Sequence, residues 1–118
     1  MKGVKIIILE DNKLVQELMR DTVCVEYKNC VITDDPIYVL SSDWACGIFD
    51  YNLGLEITGQ DVAEKSRRMY GSKKFLISHT SEQLTDLEKK VYDVCVQKAS
   101  GLMQVYNALD VFNERYKR

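Results

Sequence analysis

The stretch WACGIFDYN, residues 44–52, decides the fold of this chain. It is apolar at nearly every position as far as Phe49, and it then ends in one carboxylate, Asp50. A run of this kind is typical of a strand that is buried on both faces, as in a parallel sheet. Open α/β sheets bind their ligands at the carboxyl ends of the strands. The stretch therefore predicts a central strand over residues 44–50, with Asp50 at the ligand-binding edge.

A second apolar run, residues 4–9, is followed at once by Glu10 and Asp11. Because the carboxyl ends of parallel strands lie at the same edge of a sheet, these acids and Asp50 are expected to form one acidic pocket. Close carboxylates repel one another, so at least one takes up a proton unless a cation lies among them. Carboxylate oxygens and water are the ligands that Mg²⁺ prefers. The backbone carbonyl of Asn52 could supply a further oxygen.

Strand and helix patterns alternate along the whole chain. Besides residues 4–9 and 44–50, strands are predicted over residues 30–33, 73–78 and 91–96. This alternation favours a parallel sheet with helices on both faces and right-handed crossovers. Two helices are predicted in the first half of the chain, from the cap Asn12 through Met19 and from the cap Asp35 into the segment 36–43. Three more are predicted in the second half: from Thr58 through Tyr70, from either Thr80 or Thr85, and from about Ser100 through Phe112. The segment 36–43 has room for about two turns, so the second helix is expected to be short.

Length and charge restrict the class of protein. A chain of 118 residues is expected to form a single domain, residues 1–118, with a substantial core. The net charge of -2 gives no broad basic field, so nucleic acid is not expected as a direct partner. No apolar stretch approaches the roughly 20 residues that span a bilayer. The first residues also lack a signal-peptide pattern, so no contact with a membrane is expected.

Four cysteines and one histidine are the remaining reactive side chains. Cys24, Cys30, Cys46 and Cys95 form no C-x-x-C pair, and one His cannot complete a zinc site. We expect reduced thiols that are buried as small hydrophobes. Reduced thiols without a signal peptide indicate the cytoplasm. His79 has no evident partner in the sequence and is expected to be a solvent-exposed loop residue.

The predicted acidic edge also receives a hydroxyl and a lysine. Ser78 ends the fourth predicted strand, and Lys98 follows the fifth. These groups and a cation around one carboxylate suit an incoming phosphoryl group, since phosphoryl transfer depends mainly on positioning and charge neutralisation. Asp50 would attack as the nucleophile, Lys98 would stabilise the phosphoryl oxygens, and Ser78 would donate a hydrogen bond to them.

At these residues the sequence resembles the receiver domain of two-component response regulators. The matching segments are KIIILEDN at residues 5–12, GIFDYN at 47–52, FLISHT at 75–80 and VCVQKAS at 94–100. They occur in the family's order and close to its usual spacing, so the resemblance covers essentially the whole chain. It implies a flavodoxin-like receiver fold, in which a five-stranded parallel sheet of order 2-1-3-4-5 carries helices on both faces.

The resemblance also implies a role for each residue of the acidic edge. Asp50 is similar to the phosphoacceptor, Ser78 to the switch hydroxyl and Lys98 to the lysine that contacts phosphate. The implied Mg²⁺ ligands are Glu10, Asp11, Asp50 and the carbonyl of Asn52. The implied partners are a histidine kinase or histidine phosphotransfer protein as phosphoryl donor and a downstream protein target. The implied chemistry is limited to self-phosphorylation and slow self-dephosphorylation, not metabolic turnover.

Several positions depart from the family pattern and keep alternatives open. Ala99 stands where proline commonly follows the lysine, so no cis bond is expected there. Cys95 occupies the aromatic switch position, which leaves a non-phosphorylated interaction scaffold as an alternative function. A haloacid-type phosphatase would need a second Asp where Asn52 stands, since an amide cannot act as general acid. Tyr106 and Tyr116 fall on the last helix; Tyr106 is expected to pack internally, and a partner interface such as a homodimer is the alternative.

Overall fold

Five parallel strands form one sheet in the computed structural model, which describes residues 5–116. The strand order is β2-β1-β3-β4-β5, and every neighbouring pair is parallel. The strands are β1 Ile6–Leu9, β2 Cys30–Thr33, β3 Cys46–Phe49, β4 Phe75–Thr80 and β5 Val94–Gln97. The predicted sheet and its strand order are confirmed. The predicted start of the first strand at Val4 lies outside the described residues.

Helices connect the strands and lie on both faces of the sheet. They are α1 Lys13–Asp21, α2 Val23–Glu26, α3 Pro36–Ser41, α4 Gly59–Tyr70, α5 Asp86–Lys89 and α6 Leu102–Arg115, with 3-10 turns at Gly71–Lys73 and Lys98–Ser100. The helix α3 has 6 residues and is short, as predicted. The turn α2 is not apparent from the sequence pattern. No helix among residues 5–116 is long and apolar enough to cross a membrane.

The side chains that begin α1, α3, α4 and α5 are among the predicted ones, whereas α6 begins after Gly101 without a side-chain cap. The Asn12 side chain accepts hydrogen bonds at the start of α1, and Asp35 does so at the start of α3. Thr58 opens α4 with a capping box. Of the two predicted starts before β5, Thr85 is the one used, and it opens only the single turn α5. Short polar side chains at these positions satisfy backbone N–H groups that the first helical turn leaves without partners.

Successive residues of the strands β1, β3 and β4 point into two separate cores. One core lies between the sheet and the helices α1 and α6, and the other lies between the sheet and the helices α3 and α4. The first contains Ile6, Ile8, Met19, Ile48, Phe75, Ile77, Leu109 and Phe112, and the second contains Ile7, Leu9, Val39, Phe49, Val62 and Leu76. The central strands β1 and β3 are buried along their whole length, which explains why their sequences lack the alternation of a half-exposed strand.

Two expectations about reactive side chains are wrong. Cys24 and Cys30 form a disulfide between α2 and β2, so they are not free thiols. Cys46 is free and buried as expected, but Cys95 is free and exposed. His79 is buried, because β4 continues to Thr80 and neighbouring strands flank it on both sides.

The tyrosines of the last helix pack against their own chain. Tyr106 contacts the core between the sheet and α6. The Tyr116 ring lies 5.1 Å from the Phe112 ring, and its hydroxyl donates to the Ser72 carbonyl at 2.7 Å. Internal packing is therefore what the structure shows for both side chains.

Aromatic rings enclose a lysine at the amino edge of the sheet, opposite the acidic edge. The Lys74 Nζ donates to the Trp44 carbonyl at 2.6 Å and lies 4.2 Å from the centre of the Trp44 ring. The Tyr70 ring is 4.5 Å away, and burial lowers the pKa of Lys74. The Trp44 indole in turn donates to the Val39 carbonyl at 2.9 Å. These contacts hold Trp44 in one position.

Gly59 allows the start of α4 to lie against the end of β3. Its N–H donates to the Tyr51 carbonyl at 2.8 Å. A Cβ at this position would overlap the backbone carbonyl oxygen of Asp50. The approach of the two backbones therefore requires a residue without a side chain, and it fixes where the loop after Asp50 returns to the sheet.

We predict that Gly59→Ala lowers the free energy of unfolding by about 1–3 kcal/mol, because the helix must move away from β3. This is the opposite of the increase that Gly to Ala normally gives within a helix. Urea denaturation followed by circular dichroism measures the change. Lys65→Ala, at an exposed position of α4, is the control and is expected to change stability by less than about 0.5 kcal/mol. A Gly59→Ala protein as stable as wild type would contradict the prediction.

Candidate functional site

Three titratable side chains form a row at the carboxyl edge of the sheet. Continuing the register of β1, β3 and β4 by one residue places Glu10, Asp50 and His79 beside one another. The Asp50 N–H still bonds to the Leu9 carbonyl at 3.0 Å, so the ladder extends to this row. The three residues are only 1%, 5% and 6% exposed. Burial of this degree is costly for ionisable groups unless they are paired.

Asp11 joins Glu10 and Asp50 in a carboxylate cluster, as the sequence predicted. One oxygen from each of the three residues lies within 4.8 Å of the others. Glu10 and Asp50 are buried, while Asp11 is half-buried at the mouth of the cluster. An all-oxygen donor set that leaves one side open to water fits Mg²⁺, which usually keeps several water ligands.

Lys98 reaches into this cluster from the 3-10 turn that follows β5. Its Nζ lies 3.1 Å from Asp50 Oδ2 and 3.2 Å from the Glu10 carboxylate. The Lys98 side chain is 22% exposed, and both carboxylates are almost fully buried, so water screens these ion pairs less than surface pairs. The structure therefore brings together the acids and the lysine that the sequence placed at one edge.

One lysine does not balance the negative charge of the cluster. Burial raises the pKa of Glu10 to about 7, and the neighbouring Asp50 carboxylate adds to the rise. Burial by itself would lower the pKa of Lys98, but Glu10 and Asp50 raise it above its ordinary value. The cluster thus retains a proton near neutral pH. A bound divalent cation would favour the charged form of each carboxylate instead.

The two oxygens of Asp50 have different partners. Oδ2 accepts from Lys98, and Oδ1 accepts from the Tyr51 N–H at 2.8 Å. The side-chain oxygen of Asn52 accepts from the Gly54 N–H at 3.1 Å, within the loop. The side chain of Asn52 is therefore engaged locally. Its backbone carbonyl as a metal ligand stays a prediction.

Ser78 lies beside the row but on the other face of the sheet. It is opposite Phe49 on β3 and Cys95 on β5, and it is 1% exposed. Because side chains alternate along a strand, Ser78 and His79 point to opposite faces. No hydrogen bond joins Ser78 to Asp50 within residues 5–116. The role of Ser78 as a switch hydroxyl stays a prediction.

Solved structures of other proteins have the same architecture. A signal receiver domain of an HD domain-containing protein from Pseudomonas fluorescens has a TM-score of 0.81 at 13% identity, with 97% of this chain and 97% of that chain covered. A CheY-like response regulator receiver domain protein from Methanospirillum hungatei has a TM-score of 0.79 at 12% identity, with 97% and 96% covered. This chain has the receiver fold of response regulators.

A third structure with the receiver fold was solved with ligands. The response regulator protein TrrA from Thermotoga maritima, in complex with Mg²⁺-BeF, has a TM-score of 0.74 at 19% identity, with 93% of this chain and 97% of that chain covered. Identities this low establish the fold and not the activity. No protein-family model and no curated protein sequence matches the chain.

Two positions near Lys98 depart from the family pattern that the sequence resembles. The Lys98–Ala99 bond is trans, and no cis peptide bond occurs in the described part of the chain. Cys95 is exposed on β5, with its Sγ 3.9 Å from the Lys89 carbonyl. The side chain at position 95 of β5 is therefore an exposed thiol and not an aromatic ring.

His79 is the site residue that sequence reasoning missed. Its pKa is lowered to about 4, mainly by burial and also by the charge of Lys98, while Asp50 opposes the change. The imidazole is therefore neutral at neutral pH. The available signal was the segment FLISHT, in which Ser78 and Thr80 both suit a strand; ending the strand at Ser78 left His79 outside it.

We predict that His79 makes the protein less stable in acid. The unfolded chain binds a proton near pH 6.5, but the folded chain does so only near pH 4, so stability is lost as the pH falls between these values. Relative to His79→Gln, wild type should lose about 3 kcal/mol of unfolding free energy between pH 8 and pH 4. Denaturant titrations of both proteins measure this. Glu10 titrates in both proteins, so its contribution largely cancels in the comparison. An equal difference at the two pH values would refute the prediction.

Proposed function

We propose that residues 1–118 form a single receiver domain in which Asp50 accepts a phosphoryl group. The observation that carries this proposal is the surroundings of Asp50. It is a buried carboxylate at the ligand-binding edge of the sheet, with the Lys98 ammonium 3.1 Å from one oxygen and two further acids around it. A scaffold has no need of such a cluster, since a buried ion pair is on balance a weak contributor to stability.

In the proposed reaction, one Asp50 oxygen attacks the phosphorus of a phosphohistidine. The P–O bond forms as the P–N bond breaks, and the bonding electron pair returns to the imidazole nitrogen of the donor. Lys98 is in contact with both Asp50 and Glu10, so its ammonium is close to the oxygens that gain charge in the transition state. The Tyr51 N–H holds the second Asp50 oxygen and fixes the orientation of the carboxylate. We also propose that Ser78 donates a hydrogen bond to the phosphoryl oxygens, which requires its hydroxyl to move from its position in the structure.

Glu10, Asp11 and Asp50 would hold Mg²⁺, with the Asn52 carbonyl as a further ligand. Their oxygen atoms are close enough to share one ion, and their uncompensated charge supports a cation at this place. When bound, Mg²⁺ supplies charge neutralisation for the phosphoryl oxygens. The residues of the chain provide the remaining parts: nucleophile, orientation and a fixed ammonium.

We predict that wild type is phosphorylated on Asp50 by phosphoramidate, a small donor with the same P–N bond, in the presence of Mg²⁺. Asp50→Asn should gain no phosphoryl group, because an amide oxygen is a poor nucleophile. Asp110→Asn, an exposed acid on α6, is the matched control and should be labelled like wild type. Intact mass followed by peptide mapping measures the result. Equal labelling of the Asp50→Asn protein would exclude the proposed site.

We also predict that Asp11→Asn weakens Mg²⁺ binding by at least tenfold, because it removes one charged ligand from a site of few ligands. Isothermal titration calorimetry with Mg²⁺ alone measures the affinity. Asp43→Asn, an exposed acid before β3, should bind Mg²⁺ as wild type does. If the two variants bind equally well, the carboxylate cluster is not the metal site.

The proposed donor is a histidine kinase or histidine phosphotransfer protein, and the proposed output is a downstream protein. We expect no turnover beyond self-phosphorylation and slow self-dephosphorylation. A chemistry that depends on an ATP-consuming kinase favours the cytoplasm. The reduced thiols expected from the sequence do not support this location, because Cys24 and Cys30 form a disulfide. A homodimer stays a prediction, which light scattering of the phosphorylated and unphosphorylated protein would test.

A second candidate function is an interaction scaffold that is never phosphorylated. It is favoured by Cys95, which cannot act as the rotating aromatic side chain of the family's switch. The labelling experiment separates the two candidates, since a scaffold predicts no Asp50 adduct.

A further inference from the structure

Tyr51 connects the proposed phosphoacceptor to the single turn α5. Its backbone N–H donates to Asp50 Oδ1 at 2.8 Å, and its hydroxyl donates to Glu88 Oε2 at 2.9 Å. The two bonds lie at opposite ends of one residue, the first at its backbone and the second at its side-chain hydroxyl. The Tyr51 ring packs at the edge of the core that contains Phe49, so its position is restricted. Movement of the Tyr51 backbone is therefore transmitted to Glu88.

The turn α5 depends on contacts from outside itself. It has 4 residues, and isolated helices shorter than about 12 residues are marginal in water. Its capping box joins Thr85 and Glu88, and the Glu88 Oε1 accepts from the Thr85 N–H at 2.9 Å. The carboxylate of Glu88 thus has two functions, one oxygen capping the turn and the other binding Tyr51. Loss of the Tyr51 bond should make the turn open more often.

Gln60 on α4 forms a second attachment to the turn α5. Its Nε2 donates to the Glu88 carbonyl at 3.2 Å, and its Oε1 accepts from the buried Tyr92 hydroxyl at 2.9 Å. Gln60 is 3% exposed and makes no direct bond to Asp50. The attachment through Gln60 is therefore independent of the phosphoacceptor, and the attachment through Tyr51 is not.

We propose that the hydrogen bond between Tyr51 and Glu88 couples the state of Asp50 to the order of α5. This inference rests on the proposed function of Asp50. Forming an adduct on one Asp50 oxygen withdraws negative charge from the other, and a hydrogen bond to a neutral acceptor is roughly half as strong as one to a charged acceptor. The Tyr51 N–H is then held less tightly, the Glu88 attachment weakens and α5 opens. The turn α5 then has two states, ordered and open, and the state of Asp50 shifts the equilibrium between them.

The same contacts explain how a receiver fold can respond without an aromatic residue at position 95. The hydroxyl of Tyr51 reaches α5 from the loop after β3, whereas Cys95 approaches the same turn from β5, with its Sγ 3.9 Å from the Lys89 carbonyl. Tyr51 and Glu88 are positioning residues in this account. Neither contacts the incoming phosphoryl group.

Amide hydrogen exchange of Lys89 and Lys90 measures the opening of α5, because their N–H groups bond to Thr85 and Asp86 across the turn. In the absence of ligand, Tyr51→Phe should exchange about tenfold faster than wild type, the effect of losing a hydrogen bond to a charged group. Addition of Mg²⁺ and beryllofluoride should speed exchange in wild type about threefold. The same addition should leave Tyr51→Phe unchanged.

Two variants of the turn and one matched control distinguish coupling from simple destabilisation. Thr85→Ala removes the cap but keeps the Tyr51 bond, so exchange should be faster in both states while the response to ligand is retained. Glu88→Gln keeps a neutral acceptor for the Tyr51 hydroxyl and should retain part of the response. Tyr38→Phe, an exposed tyrosine on α3, should behave as wild type.

Binding of beryllofluoride is followed separately by the shift of the Asp50 and Tyr51 amide resonances. If wild type binds the ligand and Tyr51→Phe keeps the full threefold response, the inference is overturned while the proposed function stands. If wild type does not bind the ligand at all, the proposed function fails and the inference fails with it.

Discussion

The structure depends on the contact of one ammonium with two buried carboxylates. Lys98 lies within 3.2 Å of both Asp50 and Glu10, in a place where water screens little of the charge. Such pairs contribute little net stability, because removing the ions from water costs about as much as their attraction returns. Removing one partner alone, however, leaves an unbalanced charge. The fold therefore has to supply both partners together, from the ends of three different strands.

Parallel strand order is what brings these groups together. Glu10 and Asp11 follow β1, Asp50 follows β3 and Lys98 follows β5, and all four residues lie at one edge because every crossover returns the chain in the same direction. The loop after β3 is held twice, by Gly59 against the Asp50 backbone and by Tyr51 against Glu88. A carboxylate whose loop is fixed at both ends loses little freedom when it meets a reactant.

The sequence was informative where burial produces a continuous apolar run. The strands β1 and β3 could be located because each ends abruptly in acid, and this also located Glu10, Asp11 and Asp50. It was less informative where neighbouring strands decide burial. His79 looks like a loop residue until β3 and β5 are placed on either side of it, and nothing in the local pattern shows that Cys24 and Cys30 approach each other. The helix before β5 was predicted, but not its start at Thr85 or its length of a single turn, because the two capping signals have equal weight in the sequence.

The aromatic enclosure of Lys74 has a practical consequence for spectroscopy. Trp44 is the one tryptophan of the sequence, and it is 4% exposed at the amino edge of the sheet, with an ammonium above its ring. Its emission reports whether that edge is intact, since the cation, the indole hydrogen bond and the surrounding rings all separate when the chain unfolds. The carboxylates lie at the far end of β3. Tryptophan fluorescence of this protein is thus a probe of the amino edge and of global unfolding, while the tyrosine beside Asp50 lies at the opposite edge.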